Sequence, residues 1–353
     1  MRAKFIVTNC SVLRKKYADF AGVKKSIDAL IAADKKRGIA TQLFDVSDAA
    51  TMTKAGGKAV TRPKDPKQNK KAIDAIYTSA PTPPDYLMIL GSVDVIPHQD
   101  LENPKLSRKD PDEHAWGDLP YACDAPYSTS ILDFKAPMRV VGRLPDIDGA
   151  KDSTYLRKLL KNAASWTSRS AADYQSFFAV SAETWKKSTR LSIRKTFGSQ
   201  AGVFISPKAG PKWTGEQLAP LSHFVNCHGA EGRSEFYGED PTKPEDDDAR
   251  YPLAHQTTLV RSKIREGTVA AVECCYGAQL YKPDKVEPEH GICQEYLHGD
   301  AYAFLGSTTI AYGPADENGS ADLICASFLQ HVLAGSSTGL AALQARQDFV
   351  KKS

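Results

Sequence analysis

An α/β fold built on mostly parallel sheet is predicted by two features of the sequence. Short apolar runs of strand length alternate with segments whose apolar residues recur at helical spacing, almost from end to end. Two of these runs also stop abruptly in a reactive side chain close to a glycine, as strands do at the carboxyl edge of a parallel sheet. The chain has 353 residues, enough for two ordinary domains or for one large domain with a satellite. Hydrophobic residues make up 41% and charged residues 25%, the balance of a globular protein with a sizeable core.

Phe5 to Thr8 reads as the first strand, and residues 20–36 as a helix with Val23, Ile27, Leu30 and Ile31 on one face. Gly38 is placed to end that helix. Leu43 to Val46 is a second strand, and the basic stretch Lys54 to Lys71 reads as a solvated excursion. Tyr86 to Leu90 is a buried strand ending at Gly91, with Asp94 to His98 as the loop beyond it. Residues 99–128 form a long polar connection holding four prolines, and Met138 to Val141 leads into Gly142-Arg143-Leu144-Pro145. A helix carrying Leu156, Leu159 and Leu160 closes this half. The rhythm then restarts: strand Ser176 to Val180, helix Leu191 to Phe197, strand Val203 to Ile205, strand Leu221 to Val225, and a helix over Leu259 to Ile264. Strands Thr268 to Val272 and Tyr302 to Leu305 come next, then a helical terminus from Ala321 to Val350, interrupted near Gly335. The division is expected at Ser168, giving an N-terminal α/β accessory subdomain over 1–168 and a catalytic subdomain over 169–353.

A net charge of +4 over this length gives no argument for nucleic acid. No apolar stretch approaches the roughly 20 residues of a membrane span, and the first apolar run is too short for a secretory signal. Seven irregularly spaced cysteines argue against a disulfide framework and for a reducing, cytoplasmic location.

The chemistry is carried by two strand ends. One reads Asn226-Cys227-His228-Gly229 and the other Glu273-Cys274-Cys275-Tyr276-Gly277. A thiol beside an imidazole is the pairing that nucleophilic attack needs, because the base withdraws the thiol proton. His-Gly at one strand end, then acidic–small–Cys at another 47 positions on, resembles the caspase–legumain–gingipain group of cysteine peptidases. Tyr86 to Pro97, Val140 to Pro145 and Gly306-Ser307-Thr308-Thr309 resemble segments of the gingipain-like branch, so the resemblance covers most of the chain from about residue 86 onward. It implies a caspase-like three-layer α/β/α sandwich and a His228–Cys275 dyad that needs no cofactor and no metal. The Gly229 N–H, with that of Cys275, would stabilise the oxyanion. Cys275 fits as nucleophile better than Cys274, since Glu273 beside Cys274 would raise its thiol pKa by like-charge repulsion. Gly277 is expected to permit the turn out of the strand.

The resemblance further implies a protein or peptide substrate and an activating protein partner or self-cleavage, with loops 99–128 and 238–256 as the natural gates. A carboxylate in the specificity pocket would select Arg or Lys before the scissile bond, with Asp133 as leading candidate and Asp124 and Asp316 in reserve. Two alternatives stand beside this reading. One is a non-catalytic relative that keeps the fold as an interaction module. The other is a zinc centre drawn from Cys227, His228, Cys274, Cys275, His290 and Cys293.

Overall fold

A computed structural model describes residues 2–352, which gather into two compact units, Met1–Thr167 and Ser168–Ser353. The first unit begins with strand β1 (Arg2–Thr8), followed by helices α1 (Cys10–Lys16) and α2 (Phe20–Lys36). Asp19 caps α2 by accepting the Gly22 N–H, and Gly38 takes the left-handed φ of 76° that ends it. Strand β2 (Ile39–Asp45), helices α3 (Ala49–Lys54) and α4 (Pro66–Ser79), and strand β3 (Tyr86–Leu90) come next. An antiparallel hairpin, β4 (Gln99–Glu102) with β5 (His114–Gly117), interrupts the pattern before strand β6 (Val141–Leu144) and helix α5 (Thr154–Ser165). The four long-range strands pair in parallel in the order β2-β1-β3-β6. Val23, Ile27 and Leu30 of α2 join Ile73 and Ile76 of α4 and Leu156 and Leu160 of α5 in the core built on this sheet.

Three sequence expectations change here. The basic stretch is not all solvated: Lys70 is fully buried on α4, and its Nζ donates to Asp74 at 2.5 Å and to the Cys123 carbonyl at 3.2 Å. Burial lowers its pKa, and Asp74 opposes that. Residues 99–128 form a small folded lobe, with Leu101, Cys123 and Phe134 in a core of their own. The strand expected over Met138 to Val141 lies instead at Val141–Leu144. Arg143 donates from that strand to Asp118 (2.8 and 2.7 Å) and to the carbonyls of Gly91 and Ile96.

The second unit runs β7 (Phe177–Ala182), α6 (Lys186–Phe197), β8 (Val203–Ser206), β9 (Ser222–Asn226), β10 (His228–Gly229), β11 (Glu235–Tyr237) and β12 (Leu253–Gln256). It continues through α7 (Thr257–Val260), β13 (Val269–Val272), α8 (Ile292–His298), β14 (Ala303–Gly306), α9 (Ala321–Leu333) and α10 (Thr338–Lys352). Five strands form a parallel sheet in the order β14-β13-β9-β7-β8, and β10-β11-β12 form a separate antiparallel sheet. Alternate residues of the central strands enter different cores. Phe178, Val180, Val225, Ala270 and Val272 pack with Val260 and Tyr296, whereas Ala179, Phe224, Val269 and Ala271 pack with Phe328, Leu329 and Ala341. A strand covered on both faces has no polar side, which is why these segments read as continuous apolar runs. The result is a three-layer α/β/α sandwich. Among the described residues, no helix is long and apolar enough to cross a membrane.

Candidate active site

Strands β9 and β13 are neighbours in the parallel sheet, with Ser222 opposite Val269 and Val225 opposite Val272. That register is a constant offset of 47 residues, the same interval that separates His228 from Cys275. One residue past the ladder the two chains are still abreast, where the Glu273 N–H donates to the Val225 carbonyl at 2.8 Å. A Cβ added to Gly229 would run into the carbonyl oxygen of Cys275. The glycine after the histidine is therefore demanded by the approach of the two backbones.

The two cysteines differ in environment. Cys274 is fully buried in the core beneath the sheet, where burial and its hydrogen bond with Cys227 push its thiol well above the ordinary range. Cys275 is half-buried, and the Ala311 N–H points at its sulfur at 3.4 Å. The turn out of β13 comes one residue earlier than expected. Tyr276 takes φ 53°, a left-handed conformation that costs a non-glycine residue about 1–2 kcal/mol. Gly277 instead lies against the Cys274 carbonyl and the Val272 side chain, each 3.0 Å from where a Cβ would sit.

His228 leaves the parallel sheet and starts the small antiparallel one, pairing with Tyr237. The hairpin returns the chain so that Glu239, two residues past that pair, meets the imidazole: His228 Nε2 lies 3.1 Å from Glu239 Oε2. Thr184 donates to the same oxygen, and Arg250 donates to Oε1 through Nε (3.0 Å) and Nη2 (2.6 Å). Burial pushes the Glu239 carboxyl up, but these bonds outweigh it and hold the group below the usual range. Burial lowers the His228 pKa, and Glu239 offsets part of that fall. The ring is also walled by Trp185 (centroids 4.4 Å apart) and Tyr251 (5.0 Å, edge-on). Sequence reading missed Glu239, Thr184, Trp185, Arg250 and Tyr251. The signal available was the alternation across Glu235-Phe236-Tyr237, a return strand for the histidine, but strands of two and three residues leave almost no periodicity.

The three carboxylates assigned to specificity are not gathered at one place. Asp124 is held by the Arg139 guanidinium at 2.9 and 2.6 Å, an ion pair internal to the first unit. Asp133 sits exposed in a 3₁₀ turn of that unit (Ile131–Phe134) and makes no ion pair among the described residues. Asp316 alone shares the second unit with the His–Cys pair, on the segment that follows Ala311, and it pairs with Lys187 at 2.8 Å. The residues of the zinc alternative fall into separate contacts: Cys227 with Cys274, His290 with Glu295 at 3.0 Å, and Cys293 with the Gln279 carbonyl at 3.9 Å. No group of three or more His, Cys, Asp or Glu side chains suited to a metal ion occurs among the described residues.

A five-stranded parallel sheet between two helical layers, with the carboxyl ends of β9 and β13 side by side, is the architecture of the caspase-like cysteine-peptidase folds. The chain belongs to peptidase family C25, whose model matches residues 6–206, the first unit and the opening βαβ of the second. His228 and Cys275 lie beyond the matched residues. No curated protein matches the chain. Among solved structures, the fold is similar to a protein described as a protease, with a TM-score of 0.56 and 14% identity over 88% of this chain and 60% of that one. It is also similar to the Arg-specific cysteine proteinase gingipain R (RgpB), with a TM-score of 0.57 and 11% identity over 99% of this chain and 73% of that one. A complex of the pro- and mature domains of Porphyromonas gingivalis RgpB matches with a TM-score of 0.55 and 10% identity, over 100% and 74% of the two chains. The chain thus spans three-fifths to three-quarters of these relatives, and identities this low carry the fold alone.

Proposed function

We propose that the chain is a cysteine endopeptidase in which Cys275 is the nucleophile and His228 the proton carrier. The observation that supports this is the 47-residue offset between β9 and β13, the same interval that separates a half-buried thiol from an imidazole bonded to a carboxylate. An ionised Glu239 can only accept, so His228 Nε2 carries the hydrogen and Nδ1 is left to exchange a proton with the thiol. Cys275 Sγ attacks the scissile carbonyl carbon, the C=O pair moves onto oxygen, and the backbone N–H groups of Gly229 and Cys275 receive that oxyanion. Collapse expels the amine, which takes the proton from Nδ1. Water, deprotonated by the same nitrogen, then attacks the thioester and releases the acid and the thiol.

Cleavage after Arg or Lys is part of the proposal. RgpB is described as Arg-specific, and this chain keeps carboxylates at Asp133 and Asp316 for a cationic side chain. The Asp316–Lys187 pair already matches such a carboxylate with a flexible cation. Control by a partner or by self-cleavage fits the way Arg250 links the 240–250 segment to Glu239, and a reducing, cytoplasmic setting fits seven cysteines of which none is bridged. The test is turnover of matched peptides with Arg, Lys, Asp or Leu before the cut, using Cys275→Ala as control. Hydrolysis that survives in Cys275→Ala rejects the nucleophile. Faster cleavage after Asp or Leu rejects the basic pocket, and an unchanged preference in both Asp133→Ala and Asp316→Ala rejects those carboxylates.

A further inference from the structure

Directly behind the Cys275 turn lie two buried carboxyl groups that the proposed chemistry does not use. Glu273, the residue that follows β13, is 7% exposed, and Asp322, in the first turn of α9, is 0% exposed. Their carboxyls are hydrogen-bonded to each other. Glu273 Oε1 and Asp322 Oδ1 have no further partner among the described residues. Two ionised carboxylates in contact and out of water repel strongly, so such a pair holds a shared proton.

The surroundings decide which member carries it. Asp322 accepts the Gly319 N–H at 3.2 Å, and the Ser188 side chain and Lys195, both of α6, favour its charge. Glu273 has no such support: facing it are Asp322 and, also from α9, Cys325, with Cys274 and Cys275 on its own segment. Burial, then Asp322, push Glu273 well above the usual carboxyl range, and Asp322 rises less sharply.

The pair also closes a ring of contacts around the nucleophile. Segment 307–320 is tied at one end to the Cys275 turn: Ala278 N–H donates to the Ser307 carbonyl at 2.7 Å, Tyr276 N–H to the Thr309 carbonyl at 2.8 Å, and Ala311 N–H to Cys275 Sγ at 3.4 Å. At the other end Ala321 N–H donates to the Tyr312 carbonyl, Ser188 N–H to the Ala315 carbonyl, and Asn318 Nδ2 to Ser188 and Ser192. Asp322 anchors that end through Gly319, and Glu273 reaches it from the end of the Cys275 strand. We propose that Glu273 is a positioning residue that acts as a neutral carboxylic acid, donating to Asp322 and so locking segment 307–320, with its Ala311 N–H, against the Cys275 sulfur. This rests on Cys275 being the reactive thiol. Losing the Glu273 proton would set two negative charges in contact and loosen the segment, so the lock weakens as pH rises.

The experiment follows amide hydrogen exchange over residues 307–320 from pH 6 to 9, corrected for intrinsic exchange, with kcat and KM measured in parallel. In the wild-type chain, protection and kcat should fall together toward the alkaline end while KM holds. Glu273→Gln keeps a donor that cannot ionise, so its protection and kcat should stay near wild-type neutral values, within about twofold, across that range. Glu273→Ala leaves Asp322 without its donor and should lose protection and kcat at every pH. A Glu273→Gln protein that shows the wild-type pH dependence, or that loses protection throughout, overturns the proposal even if Glu273→Ala fails to fold. Absence of peptide turnover in the wild-type chain, both intact and after nicking within 240–250, would instead reject the peptidase reading, and the exchange measurement would still decide the lock.

Discussion

Cys274 and Cys275 are adjacent in sequence and opposite in setting, one sealed against Cys227 in the core and the other beside the Ala311 N–H at the surface. Cys275→Ala should abolish peptide turnover without shifting the unfolding midpoint. Cys274→Ala should keep turnover and lose about 1 kcal/mol of stability, since it empties a buried sulfur site; turnover and denaturant midpoints of both variants check this, and the reverse pattern would move the nucleophile by one residue. Glu239 acts on the reaction through His228. Glu239→Gln should cut kcat by about 10–100-fold, the range typical of losing an outer carboxylate that orients a functional histidine. Removing a charge that raises the imidazole pKa should also move the His228 limb of the pH–rate profile to lower pH. A profile unmoved in Glu239→Gln would show that the carboxylate is only structural.

Among the elements, the β10–β11 hairpin with the 240–250 segment beyond it carries the most consequence. Arg250 grips that segment from inside, donating to the Lys243 carbonyl at 2.8 Å while its other nitrogens hold Glu239. Arg250→Ala should therefore loosen the segment and lower turnover together, detected as faster nicking within 240–250 by a second protease and a fall in kcat. Arg250→Lys should restore little of either, because an ammonium cannot donate from the fork that spans Glu239 and Lys243. Nicking that accelerates without loss of kcat would separate the segment from the histidine.

At the scale of the whole molecule, buried neutral histidines govern the response to acid. His223 and His255 share the Tyr296 hydroxyl in the core of the second unit, at 2.9 and 3.0 Å, and burial lowers their pKa values to about 4 and about 3. His98 of the first unit is likewise lowered to about 4 by burial. In the unfolded chain these rings gain protons near pH 6.5, whereas in the folded one they stay neutral until far lower pH. The unfolded state thus binds more protons across that window, and stability falls as pH drops from about 6.5 toward 4. Urea midpoints at pH 7, 5.5 and 4.5 should decrease in that order, and a flat series would contradict the burial of these rings. Activity should survive chelation of transition metals and be lost on thiol alkylation, as expected of a sulfur nucleophile with no metal in the mechanism.

The sequence by itself determined the parallel sandwich of the second unit and the strand ends that carry His228 and Cys275. Each is a local property: a strand covered on both faces must be apolar throughout, and a reactive side chain that breaks such a run marks its end. What only the tertiary structure decided are the contacts made by residues far apart along the chain. Glu239 reaches His228 through strands of two and three residues, and Lys70 is buried although the residues on either side of it, Asn69 and Lys71, are polar. Asp124 is engaged by Arg139, and Asp322 comes to Glu273 from another layer of the fold. Hydrophobic periodicity reports which face of an element is covered. It does not report which polar group arrives there, because that depends on loop closure and on pairing geometry that no single segment encodes.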